Sequence, residues 1–164
     1  MTAERLTIDD LPAARYTLFD VTREDLPAVI VVNEALLAFQ HLDIFRWHLR
    51  VTIDARELAE QGMPTPEESA ILFEVGDEIE SIVLDGRTSL GAPNALFVAR
   101  STWNGLRELC FQIHDPEVAD AALKKLIASG SHRREWDYRM TDDPAWTDAS
   151  NFFTLFPMAE GWRG

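Results

Sequence analysis

Four histidines, a lone cysteine and a run of carboxylates are the side chains here whose types suit metal, nucleophile or proton chemistry. His41, His48, His114 and His132 include no pair at the i, i+4 spacing that would aim two imidazoles at one ion from a helix, so histidine spacing predicts no metal site. Cys110 is the only cysteine, which rules out an intramolecular disulfide framework. A His beside a Cys and a Glu could bind zinc or form a nucleophile pair. That requires a sheet to gather His48, Glu108, Cys110 and Gln112 on one face, where an ordinary polar sheet surface is the simpler expectation.

The signatures of more committed chemistry are absent. There is no dinucleotide fingerprint, Walker A loop, HExxH pair, GxSxG elbow or paired CxxC. The segment from Gly86 to Gly91 has two glycines but neither the Lys nor the strand-to-helix setting of a phosphate cradle. No catalytic residue, metal or cofactor is therefore assigned, and the chain leans away from an enzyme. A small-molecule binder or small enzyme remains the alternative, with His48, Cys110 and Gln112 as the candidate pocket residues on the mixed face of the sheet.

The carboxylates are more unevenly placed. From Thr65 to Gly86 the chain has no Lys or Arg, yet it carries Glu74, Asp77, Glu78, Glu80 and Asp85 beyond the first helical turn. Acids near a helix C-terminus oppose the helix dipole, and Glu74 and Glu78 are like charges four residues apart. Local helix stability does not account for such a ridge. A solvated face explains it blandly; functionally, Glu74, Asp77, Glu78 and Glu80 form a docking surface for a basic protein.

These residues must be positioned by elements that the sequence marks out. Trp103-Asn104-Gly105-Leu106 is the strongest local signal, because Asn-Gly supplies the two positive-φ residues of a two-residue hairpin turn. Pairing across it sets 103 opposite 106, 101 opposite 108, 98 opposite 111 and 96 opposite 113. Leu96, Val98, Leu109, Phe111 and Ile113 then share one apolar face. Between Phe45 and Ile53, Phe45, Trp47, Leu49, Val51 and Ile53 alternate with Arg46, His48, Arg50 and Thr52, which reads as a half-buried strand.

Thr65-Pro66-Glu67-Glu68 combines an N-cap, a Pro at the first helical position and the Glu of a capping box, and Ile71, Leu72, Val75, Ile79, Ile82 and Val83 follow at helical spacing. Asp115-Pro116-Glu117 opens a second helix with Val118, Ala119, Ala122, Leu123, Leu126 and Ile127 inward and Gly130 as its C-cap. Trp136, Tyr138 and Met140 alternate with Glu135, Asp137 and Arg139 in a last strand, whose acids are the expected partners of Arg46 and Arg50.

Residues 43–140 thus spell strand, helix, strand, strand, helix, strand: an α+β class with an antiparallel sheet in the ferredoxin-like, split βαβ arrangement. Residues 15–22 and 28–35 form an added N-terminal β-hairpin, with the unbroken apolar run Val29–Val32 predicting cover on both faces. The tail over 141–164 turns at Asp142-Asp143-Pro144, then holds a short helix capped by Asp148 or Ser150 and stopped by Pro157. No linker divides the chain, so one domain over 1–164 is expected.

Bulk composition agrees. In 164 residues, 46% are hydrophobic, with nine Phe and five Trp, enough apolar surface to offset ordering entropy. Fifteen basic against twenty-eight acidic residues give a net charge of −13, which disfavours nucleic acid and anionic membrane surfaces. The N-terminus, Met-Thr-Ala-Glu-Arg-Leu, lacks the pattern of a secretory signal, and a cytoplasmic protein is the default.

Gly62-Met63-Pro64 before the acidic helix, Thr102-Trp103-Asn104-Gly105-Leu106-Arg107-Glu108-Leu109, Glu135-Trp136-Asp137-Tyr138 and Asp143-Pro144-Ala145-Trp146 together resemble the bacterial family named domain of unknown function 695. The resemblance spans most of the chain and rests on structural motifs. Such a domain is similar, in some bacterial proteins, to a companion of the ribonuclease E inhibitor type, which implies a regulatory or protein-binding role and carries over no catalytic residue. Beside that non-enzymatic role, acidic charge and small size also allow an immunity-type inhibitor of a toxin.

Overall fold

The structure is a computed structural model and describes residues 11–130 and 132–156. The N-terminal Met-Thr-Ala-Glu-Arg-Leu segment and the Pro157 expected to stop the last helix lie outside them. Six strands, β1 (Tyr16–Arg23), β2 (Leu26–Asn33), β3 (Trp47–Asp54), β4 (Ala95–Trp103), β5 (Leu106–Ile113) and β6 (Trp136–Asp142), form one sheet in the order β1-β2-β4-β5-β3-β6. Every neighbouring pair is antiparallel. With α1 (Pro66–Leu84), α2 (Pro116–Ala128) and α3 (Thr147–Phe153), the protein is of the α+β class, and the order β4-β5-β3-β6 is compatible with the ferredoxin-like arrangement.

The first hairpin turns more tightly than its linker predicts. Glu24 and Asp25 alone make the turn, at φ 50° and 68°, so β2 begins at Leu26. At the second hairpin, Asn104 and Gly105 have φ 48° and 79°, and Trp103 pairs with Leu106 and Ser101 with Glu108 as expected. Beyond Ala99 the predicted register fails. A β-bulge between Phe97 and Ala99 puts Phe97 opposite Phe111, Leu96 opposite Gln112 and Ala95 opposite Ile113. Val98 is the extra residue, and a bulge flips every later side chain to the other face.

That flip redistributes the core. On one face, Ala95, Phe97, Leu109, Phe111 and Ile113 join Leu49, Val51 and Ile53 under Leu72, Ile79 and Val83 of α1 and Ala119, Leu123 and Leu126 of α2. Leu96 and Val98 instead face the opposite side, with Ala28, Ile30, Val32 and Cys110. Phe45, expected in line with Leu49, precedes β3 and also packs there. A 3-10 turn over Glu34–Ala38 and the C-terminal α3 close this second core around Leu36, Ile44, Trp146, Ala149 and Phe156.

Helix cover is incomplete at the hairpin end of the sheet. Val29 and Val31 are only half-buried, in contrast to the two-sided cover predicted for that run, because the described helices pack over β3, β4 and β5. Ile127 of α2 is likewise exposed, past the reach of the core stripe.

Candidate functional site

Three surfaces contain the residues singled out above. The first is α1. Thr65 caps it, its hydroxyl accepting the Glu68 N–H at 3.2 Å. The Glu68 carboxylate does not complete a capping box; it turns inward, fully buried, accepting from Arg134 Nε at 2.7 Å and Nη2 at 2.5 Å and from the Arg56 N–H at 2.8 Å. The hydrogen-bonded Arg134 guanidinium holds the Glu68 carboxyl down to about 2, against the opposing effect of burial.

One exposed acid of α1 meets a cation from elsewhere in the fold. Glu74 pairs with Arg133. The guanidinium groups of Arg100 and Arg107 lie 4.9 and 4.4 Å from the ring of Phe73. Glu80 is half-buried, and that burial raises its pKa against the pull of Arg100. Glu74 is the only one of Glu74, Asp77, Glu78 and Glu80 with a cation within 4 Å among the described residues. Beside Glu80 stands Tyr16 of β1, whose ring meets Phe97 edge-on at 5.9 Å. Tyr16 and Leu18 are 55% and 59% exposed on this edge strand, flanking the half-covered Val29 and Val31.

The second place is the sheet face under α3. His48 lies opposite Gln112 and Arg50 opposite Cys110, on the face that the sequence expected them to share. These are not on an open polar face. His48, Cys110 and Gln112 are at most 2% exposed. The Gln112 Nε2 donates to the Phe45 carbonyl at 3.1 Å, so its Oε1 faces His48 Nδ1 at 2.6 Å. A carbonyl oxygen only accepts, so Nδ1 carries the proton and Nε2 presents its lone pair.

His48 Nε2 is buried and has no hydrogen-bond partner among the described residues. Burial depresses the His48 pKa, with Arg50 acting the same way, against the hydrogen bond that Nδ1 donates to Gln112 and the charges of Asp148 and Asp143. Burial pushes the Cys110 thiol up to about 12, away from the thiolate form that a nucleophile uses.

The additions made by α3 have no signature in residue spacing. Trp146, in the left-handed region at φ 57°, buries its indole and donates to the carbonyls of Leu42 and Phe45 at 3.0 and 2.8 Å. Neither Asp148 nor Ser150 caps the helix. Asp143 does, accepting the Thr147 N–H at 2.7 Å and the Asp148 N–H at 3.1 Å. The Asp148 carboxylate is thus left beside Thr141, the β6 partner of His48. A nitrogen of His48 and carboxylate oxygens of Asp143 and Asp148 all lie within 4.8 Å of one another. The only sequence signal for these acids was their turn and cap chemistry.

The third place is a groove of about 780 Å³ around the outer strand β6, lined by Arg50, Glu108, Trp136, Tyr138 and Arg139 among others. None of His48, Cys110 and Gln112 lines it. The ion pairs predicted for this face also differ: Arg46 pairs with Asp142 at 2.8 Å and Arg50 with Glu108 at 3.6 Å, not with Glu135 or Asp137. Tyr138 and Asp120 are 2.5 Å apart, and burial together with that carboxylate raises the Tyr138 hydroxyl to about 12.

An antiparallel sheet with a helix layer on one face and a terminal cap on the other defines an α+β protein with no helix, among the described residues, long and apolar enough to cross a membrane. The chain belongs to the family of unknown function DUF695, whose model matches residues 15–154. No curated protein and no solved structure matches it.

Proposed function

We propose that this protein is a non-enzymatic binding module for another protein, and that its docking surface is the junction of the acidic face of α1 with the open edge of β1. The observation that carries this reading is the exposure of Tyr16 and Leu18 on the edge strand β1, where the charge of Glu80 reaches the Tyr16 hydroxyl. An edge strand offers a row of unpaired backbone groups, and proteins that do not use such an edge usually blunt it. The partner of matching chemistry is an extended segment with apolar side chains for Tyr16 and Leu18 and Lys or Arg for Asp77, Glu78 and Glu80. Such a segment would add a strand to β1, with backbone bonds supplying affinity and side chains supplying choice.

Glu74 contributes less, because Arg133 already neutralises it. The test is a photoreactive amino acid at position 18 in the full chain, cross-linked in native extract, beside the same protein carrying Asp77→Lys and Glu78→Lys. The expected result is a cross-linked basic protein that disappears from the charge-reversed sample, with no change in circular dichroism. Equal cross-linking in both samples, or none above an unmodified control, would overturn the reading.

A further inference from the structure

We infer that His48, Asp143 and Asp148 form a binding site for one divalent first-row transition cation, held between the sheet and α3. The argument starts from an unsatisfied atom. His48 Nε2 is buried, unpartnered and, by the Gln112 hydrogen bond on its other nitrogen, in the form that presents a lone pair. Two carboxylates, which also only accept, have oxygens within 4.8 Å of a His48 nitrogen, and the Arg50 charge also acts on the ring without hydrogen-bonding it. Three acceptor groups this close together, with a buried nitrogen lacking any donor among the described residues, is an arrangement that a cation resolves.

The spacing fits. Two ligands of one ion at about 2.1 Å each stand about 3 to 4 Å apart, and the three groups are already within 4.8 Å. A small rotation of Asp148, the least buried of the three, closes the remainder. The other necessary parts are in place. Metal-bound imidazoles donate their second nitrogen to an outer partner that fixes the tautomer, which is what Gln112 does for His48. Asp143 keeps lone pairs beyond those given to the Thr147 and Asp148 N–H groups, since a carboxylate has about four acceptor sites.

The donor set selects the ion. One imidazole with two carboxylates suits Zn²⁺, Mn²⁺, Fe²⁺ or Co²⁺, whereas Mg²⁺ and Ca²⁺ prefer oxygen alone. Three protein ligands leave at least one position for water.

The experiment is isothermal titration of the EDTA-treated, dialysed full chain with Zn²⁺ and Mn²⁺, and with Mg²⁺ and Ca²⁺ as comparison arms. Co²⁺ ligand-field absorption reports the geometry. One saturable Zn²⁺ or Mn²⁺ site per chain is expected, with weaker Mg²⁺ and Ca²⁺ binding. Asp148→Asn should weaken the transition-metal site more than about tenfold, the size of effect that even an outer partner has, while its melt in EDTA stays like wild type. That substitution keeps an acceptor for Thr141, so it tests the site even if His48→Gln does not fold. Cys110→Ala should leave affinity unchanged. Absence of saturable binding, equal affinity for Mg²⁺, or unaltered affinity in Asp148→Asn each overturns the site.

Discussion

Glu68 and Arg134 form the most deeply buried ion pair among the described residues. Both are buried, 66 residues apart in the chain, and each takes more than one hydrogen bond from the contact or its surroundings. Removing one partner of a buried pair strands the other charge, so Glu68→Gln should destabilise by about 3 kcal/mol, at the low end for such pairs because Arg134 keeps some contact with water. Urea unfolding measures that loss. The same pair predicts a pH dependence with a definite sign. The Glu68 pKa is depressed in the folded protein from 4.5 to about 2, so its contribution is whole above pH 4.5 and is lost as pH falls toward 2. Urea midpoints measured from pH 5 to 2 should fall more steeply for wild type than for Glu68→Gln; parallel curves would refute the assignment. The capping-box pattern hid this residue because a Glu at the third helical position satisfies both roles equally well on paper. Only the distant Arg134 decides between them.

At the scale of elements, the Asn104-Gly105 turn is not a free tip. The Gly105 N–H donates to the Gly62 carbonyl at 2.8 Å and its own carbonyl accepts the Ala55 N–H at 2.9 Å, so the hairpin end rests on the loop that leads into α1. A Cβ at Gly62 would stand 3.0 Å from the Asn104 backbone, whereas one at Gly105 would meet the flexible Leu58 side chain at 3.3 Å. Both glycines have φ of 79°. Gly62→Ala should therefore cost about 2 to 3 kcal/mol and Gly105→Ala about 1 to 2, since left-handed strain is common to both and the backbone collision belongs to one. Equilibrium unfolding of the two variants gives the comparison, and the reverse order would contradict the docked geometry.

The hairpin was legible because turn chemistry is local. Its bulge was not: Leu96, Phe97, Val98 and Ala99 are all apolar and all buried, so neither face protests a one-residue slip. For the candidate site, strand alternation placed His48 and Gln112 on one face. Asp143 and Asp148 arrive by docking of the C-terminal helix, and no period or spacing in the sequence encodes that.

For the whole molecule, charge is the governing quantity. A formal charge of −13 repels itself in the folded state, while most of the ion pairs are exposed and individually worth little. Raising NaCl from about 10 to about 150 mM shortens the screening length from about 30 to about 8 Å, which weakens long-range repulsion more than contacts at hydrogen-bond distance. The melting temperature should rise by a few degrees over that range. A fall would show that the surface pairs outweigh the net charge.

Two faces of one sheet are finished by different parts of the chain, and this orders events during synthesis. The helix layer is complete once residue 128 is available, but the opposite layer needs Trp146, whose indole bonds reach back 104 and 101 residues to Leu42 and Phe45. Until residues 146 to 156 leave the ribosome, the nascent chain must display Val32, Leu36, Phe45 and Val98 bare on an otherwise assembled sheet. The α3 segment acts as a seal, and a ribosome stalled just before it would present a chaperone with one wide apolar plate.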